Sequence, residues 1–359
     1  MKKFVAMLLL LTMIFALTAC GEKAEAPAPA ASEAPASEAP AAEAADPIVL
    51  KWADAATEGS VEYQANLKFI DLVKEYTNGQ VIIEYYPAGQ LGSDSEVVQA
   101  TMAGTLEMVK CSTANLSEFT HVLDFCDFPG MFRDTDHIYE VFKSDIRYQK
   151  AEEVYNEIGL YPITFDVDGG AARWLFNTKR EVHVPADCYD LKIRTTGSDI
   201  EMALFKVWGI GATPMAWQEL YTGLQQGTVD GVYPGPIPAY NNNFPSIVPY
   251  ATKLELSFGP SVRMLNQNAI DALGGFDGEL FKAVMKASLE SEDIKRQMNE
   301  EDVAQVAEKI EAEGCTIYYP TEEEKALWVE SANQIVDQFI GEGKTISMEL
   351  FEAVQQVGK

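Results

Sequence analysis

Histidine is nearly absent from this chain of 359 residues, occurring only as His121, His137 and His183. None lies in an H-E-x-x-H spacing, which excludes the zinc-hydrolase helix. No serine sits in G-x-S-x-G, so the nucleophile elbow of the α/β-hydrolases is missing too. Gly343-Lys344-Thr345 imitates the end of a phosphate loop, but Gln338 stands where the first glycine belongs and no strand precedes it. Glycine-rich dinucleotide fingerprints and calcium loops are also lacking. The expectation is no catalytic residue, no metal and no cofactor. Cysteine adds little. Beyond Cys20 there are Cys111, Cys126, Cys188 and Cys315, with no C-x-x-C and no zinc-like spacing to histidine. Two disulfides are open to an exported chain, but the wide spacing and hydrophobic neighbours suit buried free thiols, and free thiols are expected.

Positive charge is scarce: 27 Lys and Arg stand against 55 Asp and Glu, a formal net charge of −28. That excludes a nucleic-acid partner, which requires clustered basic residues. It also excludes loose adhesion to an anionic membrane surface. The 47% hydrophobic content and 10% aromatics exclude a wholly disordered or fibrous chain. At about 150 residues per domain, the length suggests two domains.

The N-terminus reads as an address. Lys2 and Lys3 precede an uncharged run from Phe4 to Ala19, the pattern of a secretory signal. A membrane span needs about 20 apolar residues, so this run is short, and no other run approaches it. Leu17-Thr18-Ala19-Cys20-Gly21 resembles a bacterial lipobox. The resemblance implies a signal peptide over residues 1–19, cleavage before Cys20 and lipid on its sulfur; an ordinary signal peptide with an incidental cysteine is the alternative. Residues 20–46 are rich in Ala, Pro and Glu, and Ser32-Glu33-Ala34-Pro35-Ala36 repeats as Ser37-Glu38-Ala39-Pro40-Ala41. Such a segment buries too little apolar surface to offset chain entropy and reads as a disordered tether. The expected location is outside the cytoplasm, lipid-anchored at the outer face of the cell membrane.

From residue 48 strand and helix patterns alternate. Ile48 to Trp52 and Val81 to Tyr86 read as strands, and residues 61–76 carry an apolar stripe stopped by Asn78-Gly79. Ser93-Asp94-Ser95-Glu96 is a capping box opening a helix that stops near Gly104, after which Thr105 to Val109 reads as a strand. The same events recur 123 residues later, where Trp217 to Gln226 is helical, Gly227 stops it, and Thr228 to Val232 runs out as a strand. Chance and a duplicated α/β unit are both open. Two α/β units with mainly parallel sheets would collect a ligand at the carboxyl ends of their strands. Residues 292–313 read as one amphipathic helix, Cys315 to Tyr319 as a short strand, and Thr321 to Glu324 as a further cap.

Seven arginines stand out in this acidic chain. Arg194 ends the strand Leu191-Lys192-Ile193-Arg194, where a guanidinium could hold a carboxylate by two parallel hydrogen bonds. An internal pairing, for example with Asp190, is equally open. Arg173, beside Trp174, is a weaker case of the same kind. Trp217, after Thr213-Pro214-Met215-Ala216, has core packing as its default role.

From about residue 48 to 270 the chain resembles the solute-binding proteins of tripartite ATP-independent periplasmic (TRAP) transporters, of the C4-dicarboxylate-binding type. The stretches that carry the resemblance are Pro87-Ala88-Gly89-Gln90-Leu91-Gly92, Gly104-Thr105-Leu106-Glu107-Met108, Phe128-Pro129-Gly130-Met131-Phe132-Arg133, and Pro185-Ala186-Asp187 leading to Leu191-Lys192-Ile193-Arg194. The most specific is Thr213 to Tyr221 running into Leu224 to Gly231. The resemblance implies an α/β, two-lobed periplasmic-binding-protein fold of type II kind, with mixed, mainly parallel sheets and long C-terminal helices bridging the lobes. Lobe I would comprise residues 47–170 and about 259–298, and lobe II about 171–258 and 299–359. It implies Arg194 as the arginine that holds the substrate carboxylate, Arg173 as a second and less general one, and Trp217, Ser112, Thr113 and Asn115 at the cleft. Many members continue Gln-Glu-Asn-Pro after Val-Asp-Gly, where this chain has Val232-Tyr233-Pro234, so Tyr233 is the candidate replacement for a lost ligand contact. Trp217 and Tyr233 together favour a flatter or more apolar acid than a C4-dicarboxylate.

The candidate ligand-binding set is therefore Arg194, Arg173, Trp217, Tyr233, Ser112, Asn115 and Glu58. The expected function is capture of a small organic acid by cleft closure and its delivery to the small and large membrane subunits of a TRAP permease, by a monomeric protein. A ligand-sensing domain presented to a membrane receptor and a lipid-anchored enzyme are the alternatives.

Overall fold

The computed structural model describes residues 46–170 and 172–359. The expected signal peptide, Cys20 and all of the tether before Asp46 lie outside the described residues. Eleven strands are described. They are β1 (Ile48–Ala53), β2 (Val81–Tyr86), β3 (Met108–Ser112), β4 (Leu160–Val167), β5 (Leu175–Asn177), β6 (Lys192–Thr195), β7 (Gly211–Pro214), β8 (Gly231–Val232), β9 (Tyr250–Thr252), β10 (Pro260–Asn266) and β11 (Thr316–Tyr318). They form two sheets, ordered β2-β1-β3-β10-β4 and β11-β9-β5-β8-β6-β7. The chain thus passes from the first sheet to the second after β4, returns at β10, and crosses again before β11.

Each sheet contains one strand that runs against both of its neighbours, β10 in the first and β5 in the second. The remaining pairings are parallel. The sheets are mixed, and the first is evenly divided rather than mainly parallel.

The motif that recurs after 123 residues occupies equivalent places in the two sheets. Gly104 and Gly227 both end a helix at positive φ, +76° and +71°. Thr105 then donates its N–H to the Ala100 carbonyl, and Thr228 donates to Gly223, at 2.9 Å in both. These closures satisfy carbonyls left free at a helix end. The acidic residue next takes the same job twice: Glu107 accepts the N–H of Lys51 in β1, and Asp230 accepts the N–H of Lys192 in β6, each at 2.9 Å. β3 and β8 follow, each between a parallel neighbour and its sheet's antiparallel strand. The expected strand Thr105–Val109 is displaced to Met108–Ser112, because residues 105–107 are used in closing the helix end and bridging to β1.

The helix expected over 292–313 spans Glu279–Ala312, 34 residues. The stretch before Glu292 was missed although Phe281, Val284 and Ala287 keep a helical apolar spacing; from Ser288 the inward face turns polar, with Ser288, Ser291, Glu292, Lys295 and Asn299 all buried. Glu292 is pinned by Arg147 through two bonds of 2.7 Å, and it accepts the Phe165 N–H of β4 at 2.8 Å. This bidentate pair fixes the long helix against the first sheet. Below it Trp52, Phe69, Val73, Leu265 and Phe281 form one apolar core, while Trp174, Phe176, Leu224 and Ile310 belong to another under the second sheet. Cys111, Cys126, Cys188 and Cys315 are free thiols, all buried. Among the described residues no helix is long and apolar enough to cross a membrane.

Candidate functional site

Parallel strands converge on a cavity of about 180 Å³ with their carboxyl ends. β1 delivers Asp54, β3 delivers Ser112, β6 delivers Arg194 and Thr196, and β8 delivers Tyr233. The cavity wall holds five carboxyl side chains, Asp54, Glu62, Asp94, Asp168 and Glu201, and three cationic ones, Lys110, Arg173 and Arg194. The two remaining cations are committed to carboxylates, and Arg194 is not.

Arg194 is 7% exposed. Its Nε donates to the Met215 carbonyl at 2.9 Å, and its guanidinium lies 5.6 Å from the Trp217 ring centre. Among the described residues it forms no ion pair. Burial lowers its pKa, against the more distant charges of Glu201 and Asp94. A desolvated cation without an ion-pair partner is costly. Asp190, the internal partner considered above, sits before β6 at the strand's far end, in a left-handed turn with φ +68°.

Arg173 is the opposite case. Its Nε donates to the Phe258 carbonyl at 2.8 Å, and its terminal nitrogens reach Glu201 at 3.0 Å and Asp127 at 2.9 Å. Asp127 belongs to the chain before β4 and Glu201 to the helix Asp199–Val207 after β6, so Arg173 ties the two sheets' layers together. Glu201 also takes the hydroxyls of Thr195 and Thr196 at 2.5 and 2.8 Å and the Thr196 N–H at 2.7 Å. The clamp therefore holds the strand end that carries Arg194.

Ser112 spends its hydroxyl oxygen on the N–H of Asn115 at 3.1 Å, and the Asn115 amide donates to Asp94. Both line the cavity. Tyr233 lines it too but is 3% exposed, with its ring centre 5.8 Å from that of Trp208 and its hydroxyl 3.3 Å from Ser257 Oγ. Glu58 is exposed and lines a recess with Tyr240 and Glu313 that adjoins the cavity through Thr57, Ser60 and Asn241; it does not line the cavity itself.

The residues that sequence reasoning missed gather around Lys110 at the cavity wall. Lys110, 4% exposed, sits 3.1 Å from Asp168 and 3.6 Å from Asp166 and contacts Glu62. Lys295 of the long helix meets the same three carboxylates. Against burial, which would raise it, these two lysines hold the Asp168 carboxyl well below the usual carboxylate range. Asp54, which accepts from Asn66 and the Tyr85 hydroxyl at 2.8 Å each, is pushed by burial and by the Glu62 charge up to about 7. One signal was available: Lys110 interrupts the apolar strand Met108-Val109-Lys110-Cys111, where a lone charge demands partners. Among the described residues no group of side chains is suited to a metal ion.

Residues 52–342 match the family described as bacterial extracellular solute-binding protein, family 7. The chain is 24% identical over 308 residues to the 2,3-diketo-L-gulonate-binding periplasmic protein YiaO of Escherichia coli (strain K12), covering 86% of this chain and 92% of that protein. It is 26% identical over 302 residues to the C4-dicarboxylate-binding periplasmic protein DctP of Rhodobacter capsulatus, covering 82% and 87%. In fold it is similar to the sugar acid binding protein DctPAm of Advenella mimigardefordensis strain DPN7T, solved with galactonate, at a TM-score of 0.80 and 20% identity over 87% of this chain and 98% of that one.

Proposed function

Because the chain belongs to the bacterial extracellular solute-binding proteins of family 7, which bind solutes for transport and are not enzymes, we propose that it captures a small organic acid in the cavity described above and hands it to a TRAP permease. The single observation that carries this reading is Arg194, buried, without an ion pair among the described residues, and lining the cavity. Its two free terminal nitrogens would take the carboxylate in the bidentate geometry that guanidinium favours. Trp217 would flank the bound acid, and Ser112 and Asn115 would supply polar contacts.

Closure is the proposed mechanism. Residues 47–170 with about 259–298 would form one lobe, and 171–258 with 299–359 the other. A ligand touching both favours the closed form by its extra contacts there. Cys20 would carry lipid, and the Ala/Pro/Glu segment would let a monomer reorient near its permease subunits. The YiaO and DctP names and the galactonate complex support a carboxylate or sugar acid as the ligand class.

A thermal-shift panel of monocarboxylates, dicarboxylates, keto acids, sugar acids and neutral sugars tests the reading. A ligand at 100 times its dissociation constant stabilises by about 2.7 kcal/mol. At least one acid should raise the midpoint. A response to neutral sugars and to no acid would contradict it.

A further inference from the structure

The charges facing the cavity limit what can be attached to the carboxylate that Arg194 receives. Lys110 is the other cation a ligand could address, but it shares Glu62, Asp166 and Asp168 with Lys295. Two ammonium groups meet three carboxylates there, with the buried Arg263 guanidinium acting on Asp166 and Glu62 from further off, so the cluster's positive charge is already spent on its own carboxylates. Asp94 adds a further carboxyl, which burial pushes up while the Asn115 amide and the Arg194 charge favour its ionised form. A second carboxylate on the ligand would enter against these groups and would have to displace one of them from a buried lysine. Like charges set side by side in a desolvated site weaken binding by about a hundredfold or more.

What this wall offers is acceptors. Asp168 uses Oδ1 for Lys110, Lys295 and the Ser261 hydroxyl, at 3.1, 3.0 and 2.8 Å. No described residue donates to its Oδ2, and its side chain is 32% exposed at the cavity wall. Asp94 is half-buried at the same wall, with the Asn115 amide on Oδ2. A carboxylate oxygen of this kind accepts from a hydroxyl and gains from it what water would otherwise supply. Of the neutral side chains lining the cavity, Thr196 and Ser261 give their hydroxyl protons to Glu201 and Asp168, while Ser112 keeps its proton and Asn115 its amide oxygen, a pairing of donor and acceptor that suits hydroxyls better than an ammonium group.

Resting on the reading that Arg194 receives a carboxylate, we infer that the ligand is a hydroxylated monocarboxylate, with its single charge on Arg194 and its chain hydroxyls donating to Asp94 and Asp168. Specificity arises as much from rejection of a second anion as from the contacts made.

Calorimetric titration of the full chain at matched carbon number provides the test. The probes are erythronate, succinate, butyrate and 4-aminobutyrate, then galactonate against adipate so that ligand length does not decide the result. A hydroxylated acid should bind tightest within its set, with the dicarboxylate about a hundredfold weaker. Asp94→Asn should narrow that ratio about tenfold, since one repelling charge is gone. A dicarboxylate that binds as tightly as its hydroxylated counterpart would overturn the inference while leaving the solute-binding reading intact. So would butyrate matching erythronate, 4-aminobutyrate exceeding it, or an unchanged ratio in folded D94N. Absence of binding by every acid would instead remove the reading beneath it.

Discussion

Replacing Arg173 by alanine leaves two buried carboxylates without their cation. Asp127 loses a contact of 2.9 Å and Glu201 one of 3.0 Å, and the Phe258 carbonyl loses a donor at 2.8 Å. Removing one partner of a buried ion pair costs about 3–5 kcal/mol. The lower end applies here, because each carboxyl keeps other donors: Thr113 for Asp127, and Thr195 and Thr196 for Glu201. Burial already pushes Asp127 up to about 7 beside Arg173, so without the cation it takes up a proton readily. A loss of ~3 kcal/mol is a large share of the 5–15 kcal/mol typical of a folded domain. Urea unfolding of ligand-free protein, followed by tryptophan fluorescence, measures it. The loss should be largest near pH 8 and shrink towards pH 5.5, since a carboxyl with a raised folded pKa stabilises the fold once protonated. A ligand-free loss below ~1 kcal/mol together with a collapse of acid binding would refute the reasoning and make Arg173 a ligand-holding arginine.

Three further outcomes are expected. Asp54, raised from 3.8 to about 7, contributes stability that is present below its unfolded pKa and lost as pH rises through 7. Stability should therefore fall between pH 5 and 7.5 with up to ~1.4 kcal/mol per pH unit from this group, and Asp54→Asn should flatten the slope; an unchanged slope would contradict the assignment. Gly231→Ala would place a Cβ 2.1 Å from the Phe176 carbonyl oxygen and 3.0 Å from Asn177 Cα, both backbone, so the β5–β8 pair must open. A cost of about 1–3 kcal/mol in thermal unfolding is predicted, and a change within ~0.5 would count against the packing. Glu292→Ala strands Arg147 between the long helix and β4 and should cost about 3–5 kcal/mol in the same assay, whereas a neutral result would mean that the pair does not pin that helix.

Much of the fold is legible in local chemistry. Ser93 and Glu96 form the capping box that their spacing announces, and so do Thr321 and Glu324. The Gly-Thr-x-acidic motif marks the central strand of each sheet, because it closes a helix end and docks the next strand with the same three residues. What sequence could not show was the acceptor wall. Lys110, Glu62, Asp168 and Lys295 come from distant segments and meet only through the crossing of β4, β10 and the long helix. For the same reason, which arginine is free and which is clamped was illegible. Arg173 and Arg194 look alike in sequence, and Asp127 and Glu201 distinguish them only in space.

The central claim is that Arg194 is left without a partner so that a ligand carboxylate can become one. Calorimetric titration of Arg194→Met with the tightest acid found for the parent protein tests it most directly. The account predicts an affinity loss of about 2–5 kcal/mol, with ligand-free stability lowered by no more than ~1 kcal/mol, because the bond to Met215 and the approach to the Trp217 ring are given up while an uncompensated buried charge is removed. Unaltered affinity in a folded R194M protein would contradict it.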